Sequence, residues 1–354
     1  MIRIKPQRGK EADNARTEKT GGRTTVARVF LKAAGAALCL VLAALTAPAE
    51  VRAAEDITFL LSGRTTSPAF GPWQVAKARG YYEQEGLNVT FQGAKGGVDM
   101  AKQVGSGTVL VGGGSGDTVL IVRGSGVPVK SVAVLGGKSL MQLVLHADKV
   151  RGIKDLKGKL VSTAAYHDTT FYALLGILAK VGMSRTDLQI EAAGRDGVWK
   201  LFAARSAMAM ASIPDWIPLV EAEGAKVKII PADDYFRSIA QAILVSDETI
   251  RDRPELVQKL VRATLRGMTD IMKDPAGAAR DYVKVVPEHA ERVAYVTRVF
   301  ELYNQYVYPG QTVVGQMDAA RLEALQDFYA DNGIVRSRQP IGELYTNQFV
   351  QSGP

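Results

Sequence analysis

Residues 57–92 read ITFLLSGRTTSPAFGPWQVAKARGYYEQEGLNVTFQ, and their order decides the fold class. Ile57 to Leu61 is a short apolar run suited to a buried parallel strand. Ser62 to Ser67 brings one glycine, three more hydroxyls and Arg64. Pro68 then suits the first turn of a helix that follows a Ser. Gly80 and Gly86 punctuate the return to a second apolar strand at Leu87. Strand, polar loop, helix, turn and strand make an α/β unit. A polar loop between a buried strand and a helix start is where such folds hold small ligands, anions above all. The plainer reading of the same loop is an ordinary connection capped by Ser67.

The same order returns later. A strand at Leu160–Ser162 leads to Tyr166-His167-Asp168-Thr169-Thr170. A helix from Phe171 to Val181 follows, then Gly182, then a strand at Leu188–Glu191. VAKARGYYEQEGLNV (75–89) and ILAKVGMSRTDLQI (177–190) share this architecture more than identity. Two related α/β lobes are therefore expected. Other strand-to-helix junctions rich in Gly or hydroxyls fall at Gly96-Gly97, at Gly114-Ser115-Gly116-Asp117 and at Ser212–Trp216. The Gly112–Asp117 stretch lacks the Gly-Lys-Ser/Thr of a P-loop. From Asp247 onward the pattern is helical, with Leu256, Val257, Leu260, Val261 and Leu265 at helical spacing. The late helices, with the stripe Val293, Val296, Phe300 and Tyr303, read as an outer layer on the first lobe.

Composition sets the class. The chain has 354 residues, 47% hydrophobic and 23% charged, with a formal charge of +8. Ten basic and only four acidic residues precede Ala54, so the positive excess sits mainly in the leader. A nucleic-acid surface is thereby excluded from the reading. The leader has Arg23, Arg28 and Lys32 before the apolar run Ala33–Ala47, then Pro48 and Val51-Arg52-Ala53. That is the form of a secretory signal, expected to be cleaved after Ala53. Cys39, the only cysteine, lies in the leader. The mature protein would have no disulfide, thiolate nucleophile or Cys-based metal site. His146, His167 and His289 are scattered, with no metal-ligand spacing, and no Gly-x-Ser-x-Gly elbow occurs. The expectation is a binding protein without a catalytic centre, metal or cofactor. Arg64, Lys95 or Arg195 would supply positive charge to the ligand, and Phe70, Trp73, Tyr166 and Trp216 apolar walls.

Ala78-Arg79-Gly80-Tyr81-Tyr82-Glu83-Gln84-Glu85-Gly86-Leu87-Asn88-Val89 resembles a run in the periplasmic binding proteins for nitrate, sulfonate, taurine and thiamine precursors, the NMT1/THI5-like family. Ser62–Pro68, Leu156-Lys157-Gly158-Lys159, Pro254-Glu255-Leu256-Val257 and Asp274-Pro275 add to the likeness, which covers most of the mature chain. The resemblance implies a two-lobed α/β fold of periplasmic-binding-protein type II, each lobe a mainly parallel sheet flanked by helices, with the C-terminal helices on lobe 1. It implies a signal peptide over 1–53, lobe 1 from 54–147 and 243–354, lobe 2 from 148–242, and hinges near His146–Val150 and Gln241–Val245. A small polar or anionic organic molecule of the sulfonate, taurine or nitrate kind would bind in the cleft. A monomer would then deliver it from the periplasm to an ABC-transporter permease. A pyrimidine or other aromatic vitamin precursor is the alternative ligand. An enzyme of the pyrimidine-precursor synthase type is the alternative class, but that family needs a cysteine-rich iron motif. Carried over as ligand contacts are Thr65, Thr66, Ser67, Ser115, Thr169 and Thr170, with Arg64, Gly97, Arg195 and Trp216 beside them. Asp215 beside an anion would be unfavourable. It points to a ligand with an amine or ring nitrogen, or to a helix cap.

Overall fold

A computed structural model describes residues 53–350; the expected leader, save its last residue, lies outside them. Ten strands form two five-stranded sheets. In chain order they are β1 (Glu55–Leu61), β2 (Leu87–Gly93), β3 (Val111–Ser115), β4 (Val129–Leu135), β5 (Gln142–His146), β6 (Leu160–Thr163), β7 (Gln189–Ala192), β8 (Ala209–Ser212), β9 (Val227–Pro231) and β10 (Gln241–Ser246). The first sheet has the order β2-β1-β3-β10-β4 and the second β7-β6-β8-β5-β9. β1 runs parallel to β2 and β3, whereas β10 is antiparallel to β3 and β4. In the second sheet β6 is parallel to β7 and β8, and β5 is antiparallel to β8 and β9.

Each lobe is thus a parallel sheet with one antiparallel strand inserted, and in each that strand arrives from the other lobe. β5 enters lobe 2 directly from β4, and β10 enters lobe 1 from β9. The two lobes are topological copies, β1 matching β6 and β3 matching β8. The first crossing falls at 136–141 and the second at 232–240, ahead of the hinges expected near His146–Val150 and Gln241–Val245. β5 and β10 form the second strand from one edge of their sheets and pair on both sides, so neither has the freedom of a hinge. That also moves Gln142–His146 out of lobe 1, where the expected boundary had put it.

A buried arginine ties the crossings together. Arg321, 6% exposed, donates through Nε to the carbonyl of Ser238 at 2.7 Å and through Nη1 to that of Gly137 at 2.8 Å. Its Nη2 pairs with Asp233, which also accepts from the Ser139 hydroxyl and amide, both at 2.9 Å. A buried guanidinium with its donors filled in this way fixes backbone geometry, because losing any acceptor would leave a charge desolvated and unpaired.

The glycine run at 112–114 departs from expectation. The sequence suggests a glycine-rich strand-to-helix junction here, yet Gly112, Gly113 and Gly114 lie inside β3. A Cβ on Gly112 would sit 2.2 Å from Met100 Sδ, on Gly113 2.7 Å from the Trp73 ring, and on Gly114 2.4 Å from Ser62 Oγ. Packing against the flanking helices, not turn geometry, selects glycine there. Trp73 explains part of this. It is wholly buried, edge-on to Phe59 at 6.1 Å and to Phe70 at 5.7 Å. Trp73 and Phe70 therefore belong to the core of lobe 1, not to the wall of a ligand site.

The helical layer packs as its periodicity predicts. Pro254–Lys273 buries Leu256, Val257, Leu260, Val261 and Met268. It crosses Gly71–Ala78 so closely that a Cβ on Gly267 would lie 2.1 Å from the carbonyl oxygen of Pro72. Burying such Leu and Val side chains stabilises the lobe by roughly 1.5–3 kcal/mol each. Asp274 and Asp318 cap their helices through Gly277 and Arg321 amides. The last helix, Ala319–Asp331, also reaches lobe 2, where Tyr329 meets Tyr172 at 5.3 Å.

Candidate functional site

The carboxyl ends of β1, β3, β6 and β8 face one another across the interlobe seam, and their loops meet there. Ser67 follows β1. Its hydroxyl does not cap the helix beyond it. Instead it crosses to lobe 2 and donates to Asp215 Oδ2 at 2.5 Å. The same oxygen accepts the Ala69 amide at 2.9 Å. Asp215 Oδ1 takes the Tyr303 hydroxyl at 3.2 Å, and its backbone oxygen takes the Tyr295 hydroxyl at 3.1 Å. Both tyrosines come from Val293–Tyr306, a helix expected from sequence in the outer layer on lobe 1. Asp215 is 2% exposed. Burial pushes its carboxyl above the ordinary value, while the Ser67, Ala69 and Tyr303 hydrogen bonds oppose that shift.

A second buried carboxylate crosses the other way. Asp117, after β3 in lobe 1, accepts the Thr169 hydroxyl of lobe 2 at 2.7 Å and the Tyr329 hydroxyl at 2.6 Å. It is fully buried, and burial again raises its pKa against the Tyr329 and Thr169 hydrogen bonds. Neighbouring Thr170 turns inward to its own loop. Its hydroxyl bonds Asp168 at 2.8 Å, and Asp168 caps the helix through the Phe171 amide at 3.0 Å.

Beside these contacts opens a cleft of about 1000 Å³, walled from lobe 1 by Arg64, Thr66, Ser67, His289, Arg292 and Tyr295 and from lobe 2 by Arg195, Trp199, Asp215, Trp216 and Leu219. Arg64 pairs with Asp196 across its mouth at 2.8 Å, both ends well exposed. Such an exposed pair contributes little. Arg298 of lobe 1 reaches Glu221 of lobe 2 at 3.1 Å, and Arg292 lies 4.3 Å over the Tyr295 ring. Arg195, otherwise exposed, points its Nη2 at the Ser62 carbonyl, 3.5 Å away. The loop that carries Thr65 and Thr66 is held from behind. The Thr66 carbonyl accepts Tyr282 Oη and His289 Nε2, each at 2.8 Å, and the Thr65 carbonyl accepts Gln74 at 2.9 Å.

Of the ten residues chosen from sequence, Arg64, Thr66, Ser67, Arg195 and Trp216 line the cleft. Thr169 sits in the seam and Thr65 on the same loop as Thr66. Thr170 is engaged within its loop. Ser115 ends β3, its backbone in register with Gln241. Gly97 opens a helix where a Cβ would lie 2.5 Å from Thr118 Oγ1, which is a packing role. Of the expected apolar walls only Trp216 lines the cleft. Tyr166 is exposed and donates to the Ile190 carbonyl at 3.0 Å. Asp117, Tyr295, Tyr303 and Tyr329 were not among the ten. The one sequence signal for them is the repeat: aligning β3 with β8 brings Asp117 opposite Asp215. Among the described residues no group of three or more His, Cys, Asp or Glu is placed to hold a metal ion.

The model of the family described as NMT1/THI5 like matches residues 67–278, from the Ser67 loop through both lobes into the helical layer. The chain belongs to the NMT1/THI5-like family. It is 27% identical over 80% of its length to 83% of the riboflavin-binding protein RibY of Chloroflexus aurantiacus. It is 24% identical over 66% of its length to 71% of the 4-amino-5-hydroxymethyl-2-methylpyrimidine phosphate synthase of Aspergillus parasiticus. In structure it is similar to the periplasmic aliphatic sulphonate binding protein SsuA of Escherichia coli, with a TM-score of 0.68 at 14% identity over 83% of this chain and 99% of that one. At that identity the likeness establishes the fold. This NMT1/THI5-like chain has the two-lobed architecture of periplasmic solute-binding proteins.

Proposed function

We propose that this protein is the extracytoplasmic solute-binding component of an ABC importer and that its solute is a planar nitrogen heterocycle of the flavin or pyrimidine kind. The observation that carries this reading is the cleft wall. Trp199 and Trp216 line it beside Tyr295, whose ring lies under Arg292, while six carboxylates accompany four arginines, so the cleft has no net positive charge to draw an anion. Two of those arginines are already paired with carboxylates across the lobes. A cavity of about 1000 Å³ also exceeds what taurine or nitrate would fill, whereas drug-sized ligands occupy about 300–1,000 Å³. Similarity to a protein named for riboflavin binding and to pyrimidine synthases supports the heterocycle over the sulfonate. The enzyme reading has less support. The synthases resembled at the sequence level need a cysteine-rich iron motif, and this chain's one cysteine is Cys39. The family's transport members and the leader expected from the sequence support delivery to an inner-membrane permease and a periplasmic location.

Thermal denaturation with added solute tests the proposal. A ligand bound only by the folded protein, at a hundred times its dissociation constant, stabilises by about 2.7 kcal/mol. For a chain of this size that is roughly a 4 °C rise in Tm. Riboflavin or an aminopyrimidine should give such a rise, and taurine and nitrate none. Trp216→Leu should weaken the response by about tenfold in affinity, the scale of a lost aromatic stack. A rise with alkanesulfonates alone would overturn the assignment.

A further inference from the structure

The two interlobe carboxylates occupy equivalent places in the duplicated topology. Asp117 follows β3 and Asp215 follows β8, the matching third strands of the two lobes. Their partners match as well. Ser67 and Thr169 stand at the same distance along the chain past the ends of β1 and β6. Each clasp also takes a tyrosine hydroxyl from the C-terminal helical layer, Tyr303 for Asp215 and Tyr329 for Asp117. A contact that recurs under the repeat is not a chance meeting of polar side chains.

The donors engaged here are the kind that would hold a sulfonate or carboxylate in such a cleft: hydroxyls and a backbone amide at the start of helices. We propose that Asp117 and Asp215 fill these donor sets from across the cleft. They thereby act as specificity-determining residues that exclude anionic solutes and hold the lobes together without a solute. The inference rests on the cleft being the solute site. An anion arriving at Ser67 and Ala69 must displace a carboxylate already seated there, within repulsive range of it, in a place closed to water. A neutral heterocycle stacked on Trp199 and Trp216 need not. Burial alone would make both carboxylates costly, so their persistence depends on the donors of the opposite lobe. Opening separates carboxylate from donor in both clasps at once.

Small-angle scattering of the solute-free protein, with calorimetric titration by methanesulfonate and riboflavin, tests the inference. Asp215→Ala empties the donors of one clasp. The pair Ser67→Ala with Thr169→Val keeps both carboxylates but removes one hydroxyl from each clasp. The wild type should be compact and should not bind methanesulfonate. Both variants should show a larger radius of gyration. Only Asp215→Ala should gain methanesulfonate binding, by about tenfold or more, the scale of a single charge-assisted contact. If Asp215→Ala does not fold, the hydroxyl variant decides closure, and the wild-type methanesulfonate titration decides exclusion. Equal radii in wild type and variants would overturn the clasp. Methanesulfonate bound as tightly by wild type as by Asp215→Ala, or an opened Asp215→Ala that gains no affinity, would overturn the exclusion. Riboflavin is read separately. If it fails to bind any form while the variants open and gain the anion, the heterocycle assignment falls and the clasp stands.

Discussion

At the scale of single residues, the seam turns on hydroxyls whose role the sequence leaves open. Ser67 and Thr169 read equally well as ligand contacts, caps or clasps, because each role needs only an oxygen at the start of a helix. What separates them is the partner. For Ser67 that is a carboxylate 148 positions away, which local pattern does not reveal. Trp73 was misjudged for the same reason: an aromatic near a polar loop looks the same whether it faces the cleft or the core. Protonation offers a direct check. Burial lifts the Asp117 and Asp215 carboxyls above the ordinary value of 3.8, so folding favours their protonated forms. Their contribution to stability is full below about 3.8 and is lost as pH rises through the raised folded values. Arg195 faces Asp215 and opposes its shift, and Asp168 beside Asp117 reinforces the other. Urea denaturation across this window should show wild-type stability declining with pH more steeply than that of Asp215→Asn. Parallel pH profiles would contradict the burial argument.

At the scale of elements, most of the fold was legible. The strands expected at Ile57–Leu61, Leu160–Ser162 and Leu188–Glu191 fall at β1, β6 and β7, and the helical pattern expected from Asp247 onward is observed. The failures lie where tertiary contact overrides local preference. Gly112, Gly113 and Gly114, part of an expected glycine-rich junction, are strand because Met100, Trp73 and Ser62 leave no room for a side chain. The hinge expected near Gln241–Val245 is the paired strand β10, and the one expected near His146–Val150 is the end of β5 with the turn after it. The true crossings are irregular segments whose rigidity comes from Arg321, a residue far along the chain. Arg321→Ala removes the partner of Asp233 and the donors to Gly137 and Ser238 together. It should cost about 3–5 kcal/mol by urea denaturation, the scale of a broken buried pair, and should enlarge the solute-free protein in scattering. A loss below about 1 kcal/mol would show that the crossings hold without it.

At the scale of the whole molecule, the duplicated topology brings four strand ends to one seam, and the chain populates that seam with carboxylates, hydroxyls and aromatic rings. The sequence resemblance led to an anion-binding cleft because helix starts and hydroxyls suit anions. The folded chain answers those donors internally and leaves a cleft lined by Trp199 and Trp216 among charges of both signs. The family match spans the Ser67 loop and both lobes, the fold is the two-lobed one of periplasmic binding proteins, and the heterocycle is the solute proposed for its cleft. Isothermal titration of the protein with riboflavin and an aminopyrimidine, and separately with the zwitterionic sulfonate taurine, tests this most directly. The account predicts that one heterocycle binds with one solute per chain and a dissociation constant of about 1 μM or tighter, and that taurine gives no heat. Saturable binding of taurine with none by either heterocycle would contradict it.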